Sequence, residues 1–171
     1  MIFRPSQKLN AKIKGSGLSV LPLNENPFAD WSAHLFVVER TQYILLCNTP
    51  SLYSTAMYGT GITDENRFIQ RAFGSIREFM EDDGLQFTYD QWIAPASGSV
   101  RFAKALNRSV TGSINDLILQ ATTWITETDL SPHDVGFKLN DTLLSALGTF
   151  GTSGYGRPRE AFKSLRVASN S

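Results

Sequence analysis

Reactive side chains are scarce in this sequence. It holds one cysteine, Cys47, and two histidines, His34 and His133. A single cysteine excludes an internal disulfide framework and any cysteine-rich zinc site. The two histidines form neither H-x-x-x-H nor H-E-x-x-H, which excludes a histidine-rich metal site. An excess of one charge is also missing: sixteen Lys and Arg balance sixteen Asp and Glu, so no bulk field draws DNA or an anionic membrane. No apolar run approaches the roughly 20 residues of a membrane span. The start, MIFRPSQKLNAKIK, lacks the apolar segment of a signal peptide. G-x-G-x-x-G, G-x-x-x-x-G-K-[ST] and G-x-S-x-G are all absent. These gaps lead us to expect a soluble, cytoplasmic chain that carries no cofactor.

What is present suits an ordinary core. The 171 residues are 42% hydrophobic and include eleven Phe, five Tyr and three Trp, enough for one domain. We place that domain at residues 1–147. Residues 148–171 then form a glycine-rich segment (GTFGTSGYG), a short helix in RPREAFKSL and a frayed tail.

Ile2 and Phe3 read as a short strand, followed by a short helix after Pro5 with Ser6 as its cap. Residues 15–30 lack periodicity and read as a loop. The runs SAHLFVVE (32–39), YILLCN (43–48) and LYSTAMYG (52–59) are separated by short polar connections. Such connections cannot hold a parallel crossover, so the spacing predicts an antiparallel meander. YILLC lacks alternation, as a central strand covered on both faces does. From Thr63 to Asp83 the period changes, and Phe68, Ile69, Ala72, Phe73, Ile76, Phe79 and Met80 form a helical stripe. Thr63 or Asp64 can cap this helix and Gly84 can end it. SVRFAKAL (99–106) reads as a further strand, and Ile114, Leu117, Ile118, Ala121 and Ile125 mark a second long helix ending near Glu127. VGFKLNDTLLSALGTF (135–150) fits strand or helix. The fold class is α+β: an antiparallel sheet, a meander of about four to five strands, with two long helices packed on it.

Residues 107–117, NRSVTGSINDL, concentrate polar and small side chains at the start of that second helix. Ser113 to Asp116 matches the capping-box pattern, with Ser113 as cap and Asp116 complementing the positive end of the helix. Alternatively Ser109 is the cap and Gly112 lies inside the first turns, where it costs about 1 kcal/mol against Ala. Both arrangements satisfy the amides that a helix start leaves without partners. A helix N-terminus beside a glycine and Arg108 is also a natural anion site. The candidate ligand-binding residues are therefore Asn107, Arg108, Ser109, Ser113, Asn115 and Asp116, with structural joint and binding site both open.

The WSAHLF and TQYILLCN strands, SLYSTAMYG, the RFIQRAFGSIREFMEDDG helix and NRSVTGSINDL together resemble a family of small bacterial proteins known as a domain of unknown function. The resemblance runs from MIFRPSQKL to RPREAF. It implies a shared fold and an Arg-Ser-x-x-Gly-Ser-x-Asn-Asp signature, and it implies no activity, cofactor or catalytic residue. The glycine-rich stretch before RPREAF departs from the pattern.

Other chemistry is thin. Cys47 needs a base within reach, and His34 on the neighbouring run is the candidate, but a lone cysteine in YILLC also reads as a small buried hydrophobe. Glu81, Asp82 and Asp83 at a helix end read as a solvated terminus, with a carboxylate metal site left open. They also stand at the wrong end for dipole stabilisation, which hints at a cation partner. Basic residues gather in three groups: Arg4, Lys8, Lys12 and Lys14; Arg101, Lys104 and Arg108; and Arg157, Arg159, Lys163 and Arg166. Two of these groups brought together, with Tyr or Trp beside them, would track phosphates.

Three functions follow. A non-catalytic interaction module, binding a protein partner or itself, draws on the aromatics Trp31, Trp92, Trp124, Tyr53 and Tyr58. An enzyme or small-ligand binder for a phosphate-bearing ligand draws on residues 107–116. Nucleic-acid binding draws on the basic termini. The first leads narrowly, and no membrane partner is expected.

Overall fold

The fold is taken from a computed structural model that describes residues 1–150 and 155–169. Part of the expected glycine-rich segment (151–154) and the end of the tail (170–171) lie outside the described residues.

Strands β2 (Asp30–Val38), β3 (Thr41–Asn48) and β4 (Ser54–Tyr58) form the antiparallel meander that their short connections dictate, with Leu35 opposite Ile44 and Tyr43 opposite Tyr58. Glu39 and Arg40 turn the first hairpin with φ of 49° and 71°, the doubly left-handed geometry of a two-residue hairpin turn.

The sheet is mixed rather than antiparallel. Strand β1 (Ile2–Pro5) pairs in parallel with β2, Ile2 opposite Asp30, and with β5 (Arg101–Phe102), Ile2 opposite Arg101. The order is β4-β3-β2-β1-β5. Helix α1 (Gln7–Lys12) and the loop behind it supply the long connection that a parallel neighbour requires. The strand expected over 99–106 shrinks to β5 plus a single bridge between Ala103 and Ser19.

Helices cover both faces. On one face, Phe68, Ala72, Ile76 and Phe79 of α2 (Glu65–Asp82) pack on Phe3, Trp31, Ala33, Ile44 and Leu46. On the other, Ile114, Leu117 and Ala121 of α4 (Arg108–Thr128) and Val135 and Leu139 of α5 (Pro132–Leu139) pack on Phe36, Tyr43, Leu45 and Cys47. Each large side chain so buried contributes about 1.5–3 kcal/mol. β3 therefore sends Ile44 and Leu46 to one core and Leu45 and Cys47 to the other, which is why YILLC shows no alternation.

Helix α2 starts where expected, Asp64 accepting from Arg67 N at 2.8 Å. It ends at Gly84, φ 75°, with Leu85 N donating to Met80 O at 2.7 Å, the closure that returns unpaired carbonyls to partners. A run of short helical turns follows: α3 (Gln86–Thr88), then Tyr89–Ile93 and Ala94–Gly98. The ambiguous 135–150 segment begins inside α5 and ends in a 3-10 turn, Ser145–Phe150. The last helix, α6 (Pro158–Lys163), buries Phe162 in the first core and Ala161 in the second.

Candidate functional site

Helix α4 carries the polar motif, and its start corrects the expectation. Asn107, with extended backbone, is the cap: its side chain accepts from Val110 N at 2.9 Å. Neither Ser113 nor Ser109 caps the helix. Asn is among the strongest cap residues, and its earlier position leaves Asp116 beyond the first turn, so no capping box forms. Gly112 lies within the helix, and a Cβ there would meet nothing within 4 Å.

The 3.6-residue period then separates the motif residues. Arg108 and Asn115 face a groove of about 1090 Å³. Asn107, Ser109 and Ser113 face a separate cleft of about 120 Å³ against Thr49, Pro50 and Leu52. Asp116 is exposed and lines neither. The six candidate residues therefore do not converge on one pocket.

The larger groove gathers side chains from four elements. Lys8 and Asn10 come from α1, His34 from β2, Lys104 from the segment after β5, and Arg108 and Asn115 from α4. Buried interactions set these positions. Ser6 Oγ accepts from Leu9 N at 3.2 Å and from Leu35 N at 3.4 Å, and Ser6 N donates to Ala33 O at 2.8 Å. Together these bonds fix α1 on β2 beside His34.

Arg4 organises the opposite wall. Its guanidinium donates to Asp30 Oδ1 at 2.8 Å and Oδ2 at 2.9 Å, to Leu21 O at 3.1 Å, Pro22 O at 3.0 Å and Lys104 O at 2.8 Å. That uses the whole donor set of an arginine. The backbone of Lys104 is held a second time by its N–H, which donates to Ser19 O at 2.9 Å. Arg4 is thus a buried structural residue and leaves the basic cluster that its sequence position suggests.

Lys8, Lys104 and Arg108 line the groove, and among the described residues no Asp or Glu does. Three cations and no carboxylate among these lining residues give the groove a positive potential. His34 has no hydrogen-bond partner among the described residues, and burial pushes its imidazole below the ordinary value. Its proton count is therefore low at neutral pH. Two of the three basic groups do meet, but among the described residues no Tyr or Trp lines the groove.

Other candidates resolve differently. His34 stands opposite Leu45, two positions along from Cys47 on the same face. Burial pushes the Cys47 thiol up to about 12, and its Sγ lies 3.7 Å from Asn48 O. A thiolate is disfavoured there, and the nucleophile reading falls.

The acidic end of α2 is partnered rather than wholly solvated. Arg77 meets Glu81 at 3.0 Å, His133 meets Asp82 at 2.8 Å and Arg159 meets Asp83 at 2.9 Å. Asp83 also accepts from Tyr53 Oη at 2.7 Å; burial, and after it this bond, pushes the phenol pKa up. Arg159 is therefore a clasp for α6 rather than part of a phosphate-tracking surface. Among the described residues no group of three His, Cys, Asp or Glu side chains is placed to hold a metal.

The five aromatics expected at an interaction surface do not all reach the surface. Trp31 and Tyr53 are buried, Trp92 stacks on Phe28 at 6.1 Å, and Trp124 lies under Lys138 at 5.1 Å. Tyr58 is half exposed at the sheet edge.

Lys8, His34 and Lys104 are groove residues that the sequence placed in basic clusters or beside Cys47 rather than with the 107–116 motif. Each sits on a different element, and only the insertion of β1 between β2 and β5 brings them together.

Residues 2–161 match the family model described as Domain of unknown function (DUF6933), and the chain belongs to that family. No curated protein and no solved structure matches it. No helix among the described residues is long and apolar enough to cross a membrane.

Proposed function

We propose that this DUF6933 member is a binding module for a phosphate-bearing small ligand, held in the groove between α1, β2 and the start of α4. One observation carries this reading: Lys8, Lys104 and Arg108 reach the same groove from three separate elements, and no carboxylate among the described residues lines it. Cations held together in this way are disfavoured without an anion. The positive end of the α4 dipole adds to the attraction. A cytoplasmic setting fits the single, buried thiol.

Titration of the full chain with pyrophosphate, followed by amide NMR, tests the reading. Arg108→Ala and Lys104→Ala are each expected to weaken binding about tenfold, the scale of one charge-assisted hydrogen bond. Ser113→Ala and Asp116→Asn are expected to leave it unchanged, because neither side chain lines the groove. Pyrophosphate that leaves the groove resonances unmoved overturns the proposal. Base stacking has no support at this site, so a single-stranded oligonucleotide should not compete better than pyrophosphate does.

Self-association is favoured by a different observation. Phe87 is 77% exposed and shares a groove of about 290 Å³ with Trp92, Leu165 and Val167. A large exposed aromatic beside a groove of mixed apolar and polar lining is the kind of surface that contacts use. Sedimentation velocity decides: a concentration-dependent dimer that Phe87→Ser abolishes supports it, and a monomer at all concentrations removes it.

A further inference from the structure

Resting on the anion-binding reading above, we propose that the ligand's head is a dianionic phosphomonoester. His34 is the specificity-determining residue that distinguishes it from a monoanionic phosphodiester, taking a proton from solvent as the head enters. Among the described lining residues, His34 is the group able to change charge near neutrality. It sits half-buried on β2 without a hydrogen-bond partner among the described residues, so both ring nitrogens remain available to a ligand.

The groups around His34 set the sign of the effect. Lys8 faces the groove from α1, Lys104 from the segment after β5, and Arg108 from α4, all cationic. On β3 the residue opposite is apolar Leu45, and on β1 Arg4 is already paired with Asp30. No carboxylate among the described residues lines the groove to stabilise an imidazolium. In the free protein, burial favours the neutral ring.

A ligand head of charge −2 is attracted to each cation twice as strongly as a head of charge −1 at the same distance. The doubled charge offsets more of the desolvation that keeps His34 neutral, so the proton enters with the dianion. A monoanionic diester supplies half that attraction, and His34 stays neutral. The lining points the same way, because the groove grips a charged head rather than a stacked base. A volume of about 1090 Å³ leaves room for the ester's remaining atoms.

The probes are methyl phosphate and dimethyl phosphate, with the full-length chain. The imidazole C–H resonances are followed against pH, and His34 is identified as the titration that His34→Gln removes. Methyl phosphate is expected to raise the His34 midpoint by about one unit, a tenfold linkage, while dimethyl phosphate leaves it in place. A preference for methyl over dimethyl phosphate is expected to fall about tenfold in His34→Gln, with groove binding retained. If methyl phosphate perturbs Lys104 and Arg108 but leaves the His34 midpoint unmoved, this inference is overturned and the anion-binding reading stands. If neither probe perturbs Lys104 or Arg108, both fall together.

Discussion

Asn140 takes the place of a neighbouring strand for Ser54. Its Oδ1 accepts from Ser54 N at 2.7 Å while its Nδ2 donates to Ser54 O at 2.9 Å. Ser54 lies on β4, the edge strand of the sheet, so one side chain closes backbone groups that would otherwise recruit another chain. Asn140→Leu is expected to destabilise the fold by about 2–5 kcal/mol, since a buried N–H and C=O both lose their partners. Urea unfolding gives the size of the loss. A change below the scale of one hydrogen bond contradicts the strand-substitute role.

The cap at Asn107 separates two accounts of the polar motif. Asn107→Ala should lower stability by about 0.5–2 kcal/mol, and Ser113→Ala should change little. Thermal melts of the two variants decide, and a larger loss in Ser113→Ala restores the capping box.

Gly112 lies inside α4, and the space that a Cβ would occupy there is open. Gly112→Ala is expected to stabilise the chain by about 0.5–1 kcal/mol through helix propensity. A destabilised variant in the same thermal assay reveals a contact that this glycine serves.

The Arg4–Asp30 pair is buried, 1% and 0% exposed. Removing one member leaves the other charged and enclosed, so Arg4→Met is expected to cost about 3–5 kcal/mol. The double variant Arg4→Met, Asp30→Leu should recover part of that loss. A cycle of four unfolding experiments measures the coupling, and additive losses argue against it.

His34 makes stability depend on pH. Its folded-state pKa is below the unfolded value because of burial. Between the two the unfolded chain binds more protons, so its contribution is full above about 6.5 and is lost as pH falls toward the lowered folded pKa. His34→Gln should flatten the stability profile below a pH of about 6.5. An unchanged acid limb in denaturant titrations shows that other groups govern it.

Local patterns carried the meander and α2 because each is decided by neighbours in sequence. Tight connections force antiparallel pairing, and Phe68, Ala72, Ile76 and Phe79 repeat with the helical turn. The place of β1 is decided by distant partners. Nothing in IFRP says that Trp31 will lie beside Phe3 on one side and that Phe102 will lie on the other. Missing that insertion also hid the groove, since Lys8 and Lys104 approach His34 only through it. The motif at 107–117 marked a true helix start, but S-x-x-D arises there too late to form the cap. Of its six candidate residues, Arg108 and Asn115 reach the groove because they share the helical face that Thr111 also occupies.

The insertion of β1 also orders events during synthesis. Ile2 and Phe3 leave the ribosome before their partners, and their second neighbour, β5, follows only after α2 and the turns beyond it. Until then one flank of an apolar strand stays open to any passing edge, and loop closure over most of the chain must precede its protection. Premature termination before Arg101 would therefore yield a chain whose first strand has β2 on one side and nothing on the other. Such fragments are natural substrates for chaperones and for aggregation.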